Sequence, residues 1–145
     1  MSLDGTYDPD NIFAKIVRRE LPSAIIFEDE HVLAFMDAFP QSRGHCLVIS
    51  KSSRARNLLD ADAGTLIQLI AAVQKVTRAV REALEPDGIV VTQFNGAPAG
   101  QTIFHLHFHI IPRWTGQAMA GHGTAAMADS SQLQDLARLI ANKLN

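Results

Sequence analysis

The chain has 145 residues, 47% of them hydrophobic and 19% charged, with a net charge of -2 and one cysteine. That is enough chain for one domain, residues 1–145, with a real core. It excludes an internal disulfide framework and a basic surface for nucleic acid.

No apolar run approaches the ~20 residues of a membrane span. The opening stretch carries Asp4, Asp8 and Asp10 and no apolar segment, unlike a signal peptide. A cytoplasmic protein with no membrane or nucleic-acid partner is expected, with residues 1–9 as a flexible leader. Asp8-Pro9-Asp10-Asn11 reads as a helix start. Ile12, Phe13, Ile16 and Val17 follow at helical spacing, and Leu21-Pro22 ends the element. Ala24 to Phe27 and His31 to Asp37 read as strands around a Glu28-Asp29-Glu30 turn. After the loop from Phe39 to Gly44, His45 to Ser50 reads as a third strand. Cys46 lies in it, as a buried inert thiol.

Asp60 or Asp62 can cap the longest helix, whose apolar positions are Leu66, Leu69, Ile70, Val73, Val76, Val80 and Leu84. Glu85-Pro86-Asp87-Gly88 ends it. Ile89 to Phe94 and Ile103 to Ile111 are the last two strands. Gly116 to Ser131 is rich in Ala, Gly and Ser, and reads as a long loop. A C-terminal helix over 132–144 carries Leu133, Leu136, Leu139, Ile140 and Leu144. Strand and helix do not alternate strictly, so the order predicts an α+β fold with a mostly antiparallel sheet.

The chemistry concentrates in Asn95 to Arg113. His105, His107 and His109 recur at every second position, which on a strand puts them on one face. No Asp or Glu occurs from Phe94 to Trp114. Three readings compete. The imidazoles could be a polar face turned to water. They could bind a metal, but strand residues i and i+4 lie ~13 Å apart, too far for one ion with Zn–N bonds of ~2.1 Å. They could perform nucleophilic catalysis at phosphorus, where neutral imidazole is effective. Only the last uses the missing acids, the Gly100-Gln101-Thr102 loop and the Arg113 cation together.

His105-Leu106-His107-Phe108-His109-Ile110-Ile111 resembles the signature of the histidine triad (HIT) family, closest to its Hint-like, purine nucleoside phosphoramidase branch. Blocks at Asn11–Val17, Glu20–Pro22, Ile26–Asp29, Ala34–Asp37, Gly44–Lys51 and Asn95–Gln101 are similar to the family in the same order. The resemblance implies a HIT-like fold: a five-stranded antiparallel sheet, one long central helix, and short N- and C-terminal helices. It implies a homodimer, no cofactor, and hydrolysis at the α-phosphate of purine nucleotide conjugates, nucleoside 5'-phosphoramidates first. It casts His107 as the nucleophile of a nucleotidyl-histidine intermediate, with His109, His105, His45, Thr102 and Gln101 in support. Asp37 would hold the ribose and Asn95 the sugar-phosphate side. Phe13, Ile16, Leu21, Met36 and Ala38 would surround the base. Dinucleoside polyphosphate hydrolysis is the alternative, as is a nucleotide-binding regulatory module. Where some members carry a Cys-x-x-Cys zinc site, this chain has Asn11 and Ala14, so no structural metal is expected.

Overall fold

The computed structural model describes residues 2–123 and 125–145. Met1 in the expected leader and Thr124 in the expected long loop lie outside that range. The five strands form one antiparallel sheet of order β1(Ile25–Glu28), β2(Val32–Met36), β3(Cys46–Ser50), β5(His107–Arg113), β4(Gly88–Thr92). Helices α1(Ile12–Val17), α2(Ala63–Leu84) and α3(Ser130–Ala141) complete it. This is the predicted α+β arrangement.

Strand alternation splits the core in two. Ala34, Met36, Cys46, Val48, Phe108 and Ile110 face α2 and α3. Leu33, Phe35, Leu47 and Ile49 face the other way, against Phe13 and Ile16 of α1. β2 and β3 are buried at every position, because both of their faces are covered. On α2 the buried seam is Leu69, Ala72, Val73, Val76, Ala79, Val80 and Leu84. Burial of each large side chain on it contributes roughly 1.5–3 kcal/mol. Ile70, counted in the predicted seam, is instead exposed, as is Ile67. Among the described residues no helix is long and apolar enough to cross a membrane.

Several boundaries differ from expectation: β4 ends at Thr92 rather than Phe94, α3 runs from Ser130 to Ala141 rather than over 132–144, and three others bear on the site. Asn11 caps α1 by accepting from the Ala14 N–H at 2.9 Å, but the helix stops at Val17 because Arg19 turns to φ 64°. Leu21 is thereby carried off the apolar face and out to solvent. β5 begins at His107 rather than Ile103, because the stretch before it bonds to loops: Leu106 N–H donates to Ala55 C=O at 3.0 Å, and the Gln101 side chain to Ile103 C=O. β5 also runs through Pro112. The Pro112 carbonyl accepts from the Ser42 hydroxyl at 2.5 Å, beyond the end of β3, so the missing N–H faces a side with no ladder to break.

Residues 2–7 are docked rather than free. Leu3 C=O accepts from Asn57 Nδ2 at 2.9 Å, and the Tyr7 hydroxyl meets His105 Nδ1 at 2.8 Å.

Candidate active site

A cavity of about 500 Å³ opens on the α1 side of the sheet, a size typical of small-molecule sites. Its walls include Phe13, Ile16, Met36, Asp37, Ala38, His45, Thr102, His107 and His109 from the predicted set. Leu21, Asn95, Gln101 and His105 are not on its lining. Each has a structural reason. Leu21 lies past the end of α1. Asn95 Oδ1 accepts from Leu58 N–H and from Gln93 Nε2, both at 2.9 Å, tying two loops together. Gln101 is buried and spends its amide on the loop: Nε2 donates to Arg56 C=O and Ile103 C=O, and Oε1 accepts from Gly96 N–H. His105 stands before the strand, and its ring, beside Phe13, is spent on the Ser50 carbonyl and the Tyr7 hydroxyl.

The tautomers follow from the partners. His107 Nδ1 lies 2.6 Å from the His105 carbonyl, which can only accept, so Nδ1 carries the proton and Nε2 keeps its lone pair. His105 Nε2 donates in the same way to Ser50 C=O at 3.1 Å. His45 Nδ1 accepts from Gln41 N–H at 3.0 Å, so its proton sits on Nε2 and is donated to His109 Nδ1, also at 3.0 Å. His109 must then carry its proton on Nε2. That N–H is buried and has no partner among the described residues, a state that costs about 1–3 kcal/mol until a ligand oxygen accepts it.

Burial pushes the His45, His105 and His107 imidazoles down to about 4, and His109 further still. For His107 the bond to the His105 carbonyl opposes that push. All four are neutral at pH 7. The 3.4 Å contact of Asp37 Oδ2 with His45 Nε2 is therefore a charge–dipole contact. Burial raises the Asp37 carboxyl to about 6, against the bond its Oδ1 accepts from Phe39 N–H. Burial also pushes the Cys46 thiol far up, which makes it inert.

Asp37, His45 and His109 offer ligand atoms within 4.8 Å of one another, the spacing of a metal centre. The donor set does not suit one. A metal-bound imidazole donates its other N–H to an acceptor, whereas His45 accepts at Nδ1 and needs its Nε2 proton.

The loop before β3 positions His45. Gly44 sits at φ 89°, where an added Cβ would lie 2.3 Å from Leu84 Cδ1, so a side chain there meets both strain and a clash. Two residues were missed by sequence reasoning. His122, in the Ala/Gly-rich loop, lines the cavity, donates from Nε2 to Gly100 C=O at 2.6 Å, and packs tilted against Phe94 and edge-on to His109. Nothing local marks it. Tyr7 is the chain's one tyrosine, in a leader with no other aromatic residue, and that was the available signal.

A neutral imidazole lone pair, an unpaired donor beside it, and an apolar recess define a histidine-centred site for an anionic ligand with an apolar part. The HIT domain matches residues 18–116, and the chain belongs to the HIT domain family. It is 40% identical to the protein hit of Bacillus subtilis, over 92% of this chain and 93% of that one. It is 32% identical to the adenylylsulfatase HINT3 of Arabidopsis thaliana, over 92% of this chain and 71% of that one. The crystal structure of a Hit-like protein involved in cell-cycle regulation from Bartonella henselae superposes with a TM-score of 0.91. That protein is 48% identical, with 97% of this chain and 100% of that one covered.

Proposed function

We propose that this protein is a metal-independent hydrolase that cleaves purine nucleotide conjugates at the α-phosphate. The carrying observation is the His107 tautomer: Nδ1–H is held by the His105 carbonyl, and Nε2 is left as a neutral nucleophile. Nε2 attacks phosphorus, the bond to the leaving amine breaks, and the amine departs with the electron pair and a proton from Thr102 or a neighbouring histidine. Water then cleaves the P–Nε2 bond and releases the nucleoside monophosphate. The His109 Nε2–H donates to a phosphate oxygen where negative charge develops. Asp37 holds the ribose hydroxyls, and Phe13, Ile16, Met36 and Ala38 surround the base. Ser23 Oγ, buried on the same lining without a partner among the described residues, gives that wall one hydroxyl for a base edge. Gln101 and Asn95 shape the loops around the site.

The leaving group is tested by offering adenosine 5'-phosphoramidate, adenylyl sulfate and diadenosine tetraphosphate in excess chelator. Release of AMP is expected, fastest from the phosphoramidate. The adenylylsulfatase activity named for the Arabidopsis relative supports including the sulfate. No AMP from any of the three would remove the hydrolase reading and leave that of a nucleotide-binding regulatory module.

The protein acts as a homodimer. β4 is an edge strand, Gly88-Ile89-Val90-Val91-Thr92, without a charge or a proline to guard it. Val90 and Val91 are exposed on it, and edges of this kind favour pairing with a second chain. Sedimentation velocity should read the mass of two chains, and Val91→Lys should read one; a monomeric wild type refutes the dimer. The cytoplasmic assignment is supported by a single cysteine that is buried and unpaired.

A further inference from the structure

The start of the chain reaches the catalytic histidines through one side chain. Ser2 Oγ accepts from Ala97 N–H at 3.0 Å, Leu3 packs on Gly96, and Leu3 C=O accepts from Asn57 Nδ2. The segment then lays Tyr7 beside His105, with ring centroids 5.6 Å apart and the Arg54 guanidinium 4.9 Å over the tyrosine ring.

The hydrogen bonds assign a direction to the Tyr7 contact. His105 Nε2 holds the proton, because it faces the Ser50 carbonyl. His105 Nδ1 is therefore an acceptor, and the Tyr7 hydroxyl donates to it at 2.8 Å. The His105 carbonyl in turn accepts the His107 Nδ1 proton. Every polar atom of the His105 ring and its carbonyl is engaged. The Tyr7 bond fixes which ring nitrogen faces Ser50. Without it, a buried acceptor is left unpaired, and a ring flip about Cβ–Cγ puts a carbon where each nitrogen stood. Such a flip breaks the Ser50 bond and loosens the residue whose carbonyl holds the His107 Nδ1 proton.

We propose that Tyr7 is a positioning residue for the reaction: its hydroxyl locks the His105 ring, and through the His105 carbonyl it keeps His107 Nε2 unprotonated and aimed at phosphorus. The role rests on the His107 reading above, and it makes the N-terminal segment part of the active-site framework.

Tyr7→Phe is the test, since it keeps the ring and the Arg54 contact and removes only the donor. The expected result is a kcat lower by roughly 10- to 100-fold, as for small misplacements of a reacting group, with KM within about twofold. In ¹⁵N-imidazole NMR of the unliganded protein, the His105 Nδ1 resonance should move downfield on losing its donor. The His107 signals should show the second tautomer appearing. The role is overturned if Tyr7→Phe leaves kcat and the His107 resonances as in wild type. The NMR arm decides the Tyr7 linkage even if the wild type cleaves none of the offered substrates, so failure of the hydrolase reading and failure of this one are distinguishable. A folding role alone would lower the melting temperature and the active fraction while leaving the His107 tautomer unchanged.

Discussion

His107→Ala is expected to lower AMP release by roughly 10⁴-fold or more, the scale at which loss of a nucleophile acts. The protein should stay folded. His107 sits on the α1 face of β5, in edge contact with Phe13 at 4.9 Å and with His109 at 5.0 Å. Its main polar tie is to the preceding carbonyl. Removing the ring leaves the His45–His109 bond in place, so substrate binding should survive while the chemical step is lost. Wild type quenched in mid-turnover should carry the added mass of one nucleoside monophosphate on the peptide containing His107, and His107→Ala should carry none. A variant that keeps its rate, or an adduct elsewhere, would require a different nucleophile.

The second large effect is on stability. From pH 7 to 5 the urea midpoint should fall steeply. Burial holds His45, His105 and His107 at about 4, and His109 lower, while an unfolded chain titrates its histidines near 6.5. Between those values the unfolded state binds more protons than the folded one. Stability therefore rises with pH and is lost as pH falls through this window, by up to about 1.4 kcal/mol per pH unit for each group. Asp37 acts in the opposite sense. Its carboxyl, raised to about 6, takes up a proton in the folded state before the unfolded chain does, so acidification relieves one burial cost. One such group against four imidazoles leaves a net loss of several kcal/mol, a large part of a typical domain's stability. Urea unfolding at pH 7, 6 and 5 checks this; a midpoint unchanged to pH 5 would mean that the imidazoles are not held neutral.

The same cluster shows what a sequence can and cannot carry. The antiparallel α+β order was legible because it rests on local patterns: the 3.6-residue period of α2 and the alternation of Leu47, Val48 and Ile49 in β3. His107 and His109 were legible for the same reason, since a two-residue period puts them on one face wherever the strand packs. Their neutrality was not, because it comes from burial beneath α1 and the cavity walls.

His105 was expected inside the strand, but it lies before β5 and off the cavity lining. Its stretch bonds to Ala55 and Arg56 across the fold, and that competition delays the start of β5 to His107, two residues after it. Gln101 and Asn95 carried family positions, but their amides are satisfied by loop backbones from other parts of the chain. Tyr7 lies 98 residues from His105, and no periodicity spans that distance. By itself, then, the sequence determined the element order, the histidine strand and the two imidazoles on its face, since each depends on neighbours a few residues away. Only the tertiary structure decided which nitrogen of each imidazole holds the proton, that His109 keeps an unpaired donor, and that His122 and Tyr7 stand with them, because those properties depend on partners that folding alone brings together.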